Sequence, residues 1–447
     1  MALQNAPSVR RPAVEPLPRG YQTLSRGSEL AVPLILMYAI LLPAGLAFDV
    51  SDVVIPPYRL AAMILAPLAV RQMVLRKIRL TFPDWLIIAG SFWGLLAMLL
   101  NSPITEGIQS GGSFMIDVLG CYLIGRAYIT DVRRLRTFLI FALPGIVIVG
   151  IILVIESTTQ RLLIAPFFPQ RAELNDLYET RLGLLRARAV FPHSIAAGMF
   201  MGSLLSLYLL AQIRPLYKWM GVVAALTAIF TVSSSAFLMT VMLLALVAYR
   251  SFFTAILKTR EKLLYLVYGA AFVYVMLEVF TGRGAIRTII NYASLNPRTG
   301  YYRLLIWEYG TASVARHPWI GIGNAPMPRP DWMRIETIDN HWLMLAVRYG
   351  VPTGVLIGAG VLAAIWFCVS RNLRLNNFDR ATTLGAVFAL VSLWIIAWTG
   401  ALWANHVAWF MLLVGLVSAL ATQLPQRAER PRMMQAPRPV VAPRRPA

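Results

Sequence analysis

The feature that most limits what this chain can become is a succession of apolar runs, each about 17 to 20 residues long, recurring from residue 30 to residue 422. A run of that length crosses the roughly 30 Å hydrocarbon core of a bilayer as a helix. No water is present there to satisfy backbone N–H and C=O groups, so a spanning segment is either a helix or part of a closed barrel. The runs are unbroken rather than alternating, which excludes the barrel. Composition agrees: of 447 residues 58% are hydrophobic and 14% charged, with a mean hydropathy of +0.65, outside the range of a water-soluble domain. The expected fold is all-α, a polytopic integral membrane bundle of about twelve transmembrane helices. They are expected near 30–48, 58–74, 84–100, 113–129, 137–155, 194–212, 217–232, 234–250, 263–281, 352–369, 383–402 and 404–422. The first run reads as a retained helix, because a cleavable signal has a shorter apolar core.

Lysine and arginine orient the bundle. Arg76, Lys77 and Arg79, then Arg133, Arg134 and Arg136, then Arg214 and Lys218, then Lys258, Arg260 and Lys262, and last Arg371, Arg374 and Arg380 mark alternate loops as cytoplasmic. The short loops at 49–57, 101–112 and 403 carry neither residue and are expected outside. Both termini then lie in the cytoplasm. Residues 1–29 form one basic tail and 425–447 a Pro/Arg-rich one, flanking a membrane domain at 30–424. The net charge of +21 is thus spent on orientation and on anionic lipid headgroups, not on nucleic acid. Cys121 and Cys368 fall in apolar runs and are read as packing residues.

Two expected outer loops, 156–193 and 282–351, are long and rich in arginine, whereas all four lysines lie in cytoplasmic loops. Arginine's planar fork pairs bidentately with phosphate oxygens, so an Arg-only outer face suits an anionic, phosphate-bearing ligand. The four histidines, His193, His317, His341 and His406, all fall on or near that face, and His317 and His406 are read as structural. His341 ends the second long loop in "DNHWLMLAVRYGVPTG" and opens an apolar run, which is expected to hold its imidazole at the water–lipid boundary with Gly350 and Gly354 below. Upstream stand Arg298, Arg303, Trp307 and a turn containing Pro318, Gly321 and Gly323. Within the fourth run, Asp117 and Arg126 mark a polar site, Arg126 near enough to the cytoplasmic end to snorkel. Glu173, Asp176 and Glu179 read as a solvated surface, and the chain contains no Asp-x-Asp pair of the kind a metal-dependent transferase uses.

The Arg and Trp, the Pro-x-x-Gly-x-Gly turn, the later His and the spaced glycines of the second loop resemble the bacterial O-antigen ligase and polymerase superfamily. "RLGLLRARAVFPHSIAAGMF" in the first loop is similar to that family's Arg-bearing segment leading into a small-residue helix. The resemblance implies inverting, metal-independent glycan transfer at the periplasmic face of the inner membrane, with no cofactor. The donor it implies is an undecaprenyl-diphosphate-linked oligosaccharide, and the acceptor either another lipid-linked glycan or lipid A–core. His341 would be the general base. Arg186, Arg188 and Arg303 would clamp the diphosphate, with Arg181, Arg298 and His193 beside them. Trp342 stands where ligases usually carry Asn, Ser or Gln, and "TVSSSAFL" at 231–238 lacks an arginine common in the family. These departures lean toward exopolysaccharide polymerases over ligases. A flippase of lipid-linked sugars is the rival class, disfavoured by scarce mid-span charge and by the lack of a visible repeat between halves.

Overall fold

The computed structural model describes residues 27–422 except 44, 51–52, 169–177, 260, 262–263, 282–287, 289–296, 334–336 and 373–374. The two tails therefore lie almost wholly outside the described residues, as do Glu173 and Asp176.

The apolar runs fold as helices: α1 (Ala31–Ile40), α2 (Pro57–Leu75), α3 (Phe82–Asn101), α4 (Ile104–Met115), α5 (Cys121–Tyr128), α6 (Val132–Thr159), α7 (Ser194–Leu210), α8 (Pro215–Leu226), α9 (Ser234–Ser251) and α10 (Leu264–Phe280). They continue with α11 (Pro297–Arg316), α12 (His341–Tyr349), α13 (Val351–Asn372), α14 (Asn377–Ile396) and α15 (Asn405–Ala421). Two hairpins, β1–β2 (Phe48–Val50 with Val53–Ile55) and β3–β4 (Thr180–Arg181 with Leu184–Leu185), are the strand pairs among the described residues.

The expectation of about twelve spans is corrected. Among the described residues six helices are long and apolar enough to cross a membrane, at Pro57–Leu75, Phe82–Asn101, Val132–Thr159, Ser234–Ile256, Val351–Arg371 and Asn377–Ile396. The other runs are helical but shorter or interrupted. α1 stops after 10 residues, just before the "LLPAG" break. α7 and α15 have 17 residues each, about 26 Å at 1.5 Å per residue. The expected fourth span is divided between α4 and α5 by a π-helical turn, Ile116–Gly120, that carries Asp117. Several long apolar helices remain, as a multi-pass membrane protein requires.

Small residues and hydrogen bonds hold the helices together, since lipid gives no hydrophobic drive for helix association. α5 and α15 meet backbone to backbone: a side chain at Gly125 would collide with the Leu412 carbonyl, and one at Gly415 with the Tyr122 carbonyl. Trp409 donates from Nε1 to Ser203 Oγ (2.9 Å), joining α15 to α7, and Ser206 Oγ donates to the Gly385 carbonyl (2.9 Å), joining α7 to α14.

Arg126 does not snorkel. It is 1% exposed and its Nε donates to Asp84 Oδ1 at 2.9 Å. Asp84 also takes the Tyr122 hydroxyl (2.5 Å) and closes a capping box with Thr81 at the start of α3. The charge is paired in the interior, where the carboxylate it needs is already fixed by a helix terminus. Cys121 and Cys368 are buried free thiols.

Candidate functional site

Two neighbouring polar regions lie among these helices. The first is built by the segment between α6 and α7. Its β3–β4 hairpin turns at Leu182 and Gly183, both at positive φ (54° and 77°), the geometry of a tight two-residue hairpin. Glu179 just before it accepts from Arg186 Nη1 and lies 3.6 Å from Arg181 Nη2. Past the hairpin, Arg188 and Ala189 donate their backbone N–H groups to Glu156 Oε2 at 3.0 and 2.8 Å, and Leu163 N donates to Oε1 at 2.9 Å. Glu156 is fully buried at the end of α6, so a carboxylate rather than regular structure fixes this loop. The loop also leans on the segment before α9, through Ala187 N to Phe230 O (3.3 Å) and Arg181 Nη1 to Val232 O (3.5 Å).

Arg303, on α11, joins this group from more than a hundred residues away. It is an electrostatic neighbour of Arg181 and Asp339, and His193 is one of Arg186, Arg188, Glu179 and Asp339. The sequence-derived residues Arg181, Arg186, Arg188, Arg303 and His193 are therefore brought together. Arg186, Arg188 and Arg303 are buried, and burial pulls each below the ordinary arginine value while the nearby carboxylates oppose it. The Nε atoms of Arg186 and Arg188 have no hydrogen-bond partner among the described residues. His193 also caps α7, its Nδ1 accepting from Ile195 N at 3.1 Å. Arg298 falls in the first turn of α11, and its side chain lies outside the described residues.

The second region is a cavity of about 370 Å³ beside His341. Asn340 caps α12 by accepting from Leu343 N (3.0 Å), and His341 N donates to the Ala397 carbonyl (2.8 Å). His341 is 4% exposed, so it sits inside the protein. Its Nδ1 has no partner among the described residues, and burial pushes its pKa down to about 3. Across the cavity, Asp117 accepts from Arg59 Nε (2.9 Å) and Nη2 (2.7 Å) and from the Tyr58 hydroxyl (3.2 Å). The π-helical turn that interrupts the fourth run is what aims Asp117 here. Arg348, one helix face with His341 and Met344, completes the charged lining.

His341 is not in the arginine group. The adjoining residues Asp339 and Asn340 share a small pocket with Arg303, while the imidazole turns to the other chamber. His406 lies between, an electrostatic neighbour of His341 whose ring is 6.2 Å from that of Phe191.

The Pro-x-x-Gly-x-Gly turn works as a clamp on α12. Ile322 N and Gly323 N donate to the Val347 and Arg348 carbonyls (2.8 and 3.0 Å), which the helix end leaves open, and Val351 N donates to the Pro318 carbonyl (2.8 Å). Gly321 and Gly350 both need positive φ (66° and 86°), and a side chain on Gly350 would strike the Trp319 carbonyl. Sequence reasoning did not single out Glu156, Arg59 or Arg348. The signal for the first two was a charge beside or inside an apolar run, the same signal that picked out Asp117.

No protein-family model matches this chain, and no curated protein matches it.

Proposed function

We propose that this chain is a membrane glycosyltransferase that polymerises repeat units carried on undecaprenyl diphosphate at the outer face of a bacterial inner membrane. In this reading the long apolar helices cross the bilayer and both termini are cytoplasmic. The observation that carries the proposal is the gathering of Arg181, Arg186, Arg188 and Arg303 from two distant segments into one group inside an apolar bundle. Buried arginine is costly, and a diphosphate is an anion whose charge and fork geometry repay it.

The donor's diphosphate lies against these arginines, and the acceptor sugar enters the cavity beside His341. The acceptor hydroxyl oxygen bonds to the anomeric carbon as the bond from that carbon to the diphosphate oxygen breaks, with inversion. The hydroxyl proton passes to His341, which is neutral at neutral pH and so holds a lone pair free for it. The leaving diphosphate gains negative charge, which the guanidiniums stabilise.

Reconstitution of the purified protein with one lipid-linked repeat unit and no lipopolysaccharide tests the reading. A ladder of longer lipid-linked chains is expected. A single product that forms only when lipid A–core is added would make the protein a ligase, and movement of intact lipid-linked sugar across sealed vesicles without covalent change would make it a flippase.

A further inference from the structure

The His341 cavity does not end at His341. A second cavity of about 760 Å³ lies under the loop segment 322–333 with Thr337 and Ile338, and the two share Asn324, Met344, Arg348 and Trp403 in their walls. Together they form a passage from beneath that loop, past Arg348 and the indole of Trp403, to the imidazole.

Among the described residues that line this passage, Arg59 and Arg329 are offset by Asp117 and Asp331, and Arg348 is one positive charge in excess. The charge of Arg59 is matched by Asp117, held bidentately, and burial keeps His341 neutral. The side chain of Arg348, half-buried at the junction, makes no hydrogen bond or ion pair among the described residues. In the turn that clamps α12, Gly323 N donates to the Arg348 carbonyl at 3.0 Å, so the Arg348 backbone is fixed at the junction. A second polar group is unspent in the same lining: His341 Nδ1, on a residue 96% removed from solvent by its 4% exposure. A guanidinium with no hydrogen-bond partner among the described residues, sharing its cavity walls with the Trp403 indole and with Ser110 and Asn324, has the chemistry that recognises a sugar ring bearing an acid group.

We propose that this passage is the acceptor-glycan site and that the glycan is anionic, with Arg348 pairing to a carboxylate on the sugar next to the one whose hydroxyl reaches His341. The assignment of the occupant as an acceptor rests on the glycosyltransferase reading; the preference for an anionic sugar does not. A lipid headgroup phosphate would satisfy the same guanidinium, and the test separates the two sources.

The full-length chain in phosphatidylcholine nanodiscs is titrated with trigalacturonate and with maltotriose, with binding read by calorimetry and by tryptophan fluorescence. Trigalacturonate is expected to bind roughly tenfold or more tighter than maltotriose, the scale of one charge-assisted pair. Arg348→Gln should erase that preference, and Arg348→Lys should keep part of it, because charge remains while the fork is lost. Thermal unfolding and retained binding of undecaprenyl diphosphate show that each variant is folded. In phosphatidylglycerol nanodiscs the preference should persist. Equal or absent binding of the two trisaccharides, a preference that survives Arg348→Gln, or its loss in phosphatidylglycerol would each overturn the proposal. Failure here with Arg303-dependent binding of undecaprenyl diphosphate intact leaves the transferase reading standing. Acid-sugar preference without any binding of undecaprenyl diphosphate does the reverse.

Discussion

Glu156 and Asp117 are both buried carboxylates at the edge of a helix, and the regions they organise differ. Glu156 is spent on three backbone amides, and with Glu179 paired to Arg186 and Asp339 beside Arg303 the four guanidiniums still leave the region net positive. Asp117 is spent on Arg59, so the cavity beside His341 holds one balanced ion pair, a neutral imidazole and the single guanidinium of Arg348. One region is prepared for a highly charged group, the other for a proton acceptor kept neutral by burial. Keeping them apart also spares the base a positive field that would lower its proton affinity further before a substrate bridges the two.

The largest effect that would sharpen this division is the loss of His341. His341→Ala should lower turnover on a lipid-linked repeat unit by ~10² to 10⁴ while leaving the affinity for undecaprenyl diphosphate unchanged. A parallel loss of donor affinity, measured by calorimetry on the same preparation, would mean that the regions act as one.

Glu156 should give the opposite pattern. Glu156→Ala leaves the N–H groups of Leu163, Arg188 and Ala189 without their acceptor, at a cost of roughly 1.5–3 kcal/mol for each hydrogen bond to a charged group. Donor affinity is expected to fall by about ten- to a hundredfold. Turnover at saturating donor should change far less. A variant that loses turnover and keeps its affinity would break the comparison. The smaller changes Arg188→Lys and Arg303→Lys keep the charge and remove the fork, and a loss of several-fold in donor affinity is the expected reading. Wild-type affinity in both would mean that only charge matters.

The helices were legible because apolar runs of spanning length fold only one way in lipid, and each expected run overlaps a described helix. Their number as full spans was not, because hydropathy does not register where a run is interrupted: α1 ends early, and Asp117 is set in a π-helical turn. The arginine group was legible from residue type, since arginine without lysine is a compositional signal. Its scaffold was not. Glu156 and Arg59 look in sequence like ordinary charges flanking a run. What distinguishes them is a partner 32 or 58 residues away, and no local pattern encodes that. Arg126 taught the same lesson: a charge near the end of a run invited a snorkelling reading, and Asp84, 42 residues upstream, holds it inside instead. His341 was found, but its burial was not, because that depends on Trp342 beside it and on the turn containing Ala397 packed over it.

The smallest expected effect is the absence of one. An ordinary histidine base titrates near 6.5, so kcat/KM would fall tenfold per pH unit below that value. His341 is held neutral by burial with its pKa at about 3, and the acid limb it imposes on kcat/KM should be missing between pH 8 and pH 5. The same shift carries a stability cost whose sign is fixed. Below about 6.5 the unfolded chain binds a proton that the native imidazole refuses, so the unfolded state binds more protons and native stability falls as pH drops from 6.5 toward 3. Flat kcat/KM across pH 5–8, together with a midpoint of thermal unfolding that declines with acid less steeply in His341→Gln than in the wild type, is the expected pair of results. A limb near 6.5 in the wild type would place the titrating base in a wetter setting than this cavity, and the contrast between a charged region and a screened one would fail at its central residue.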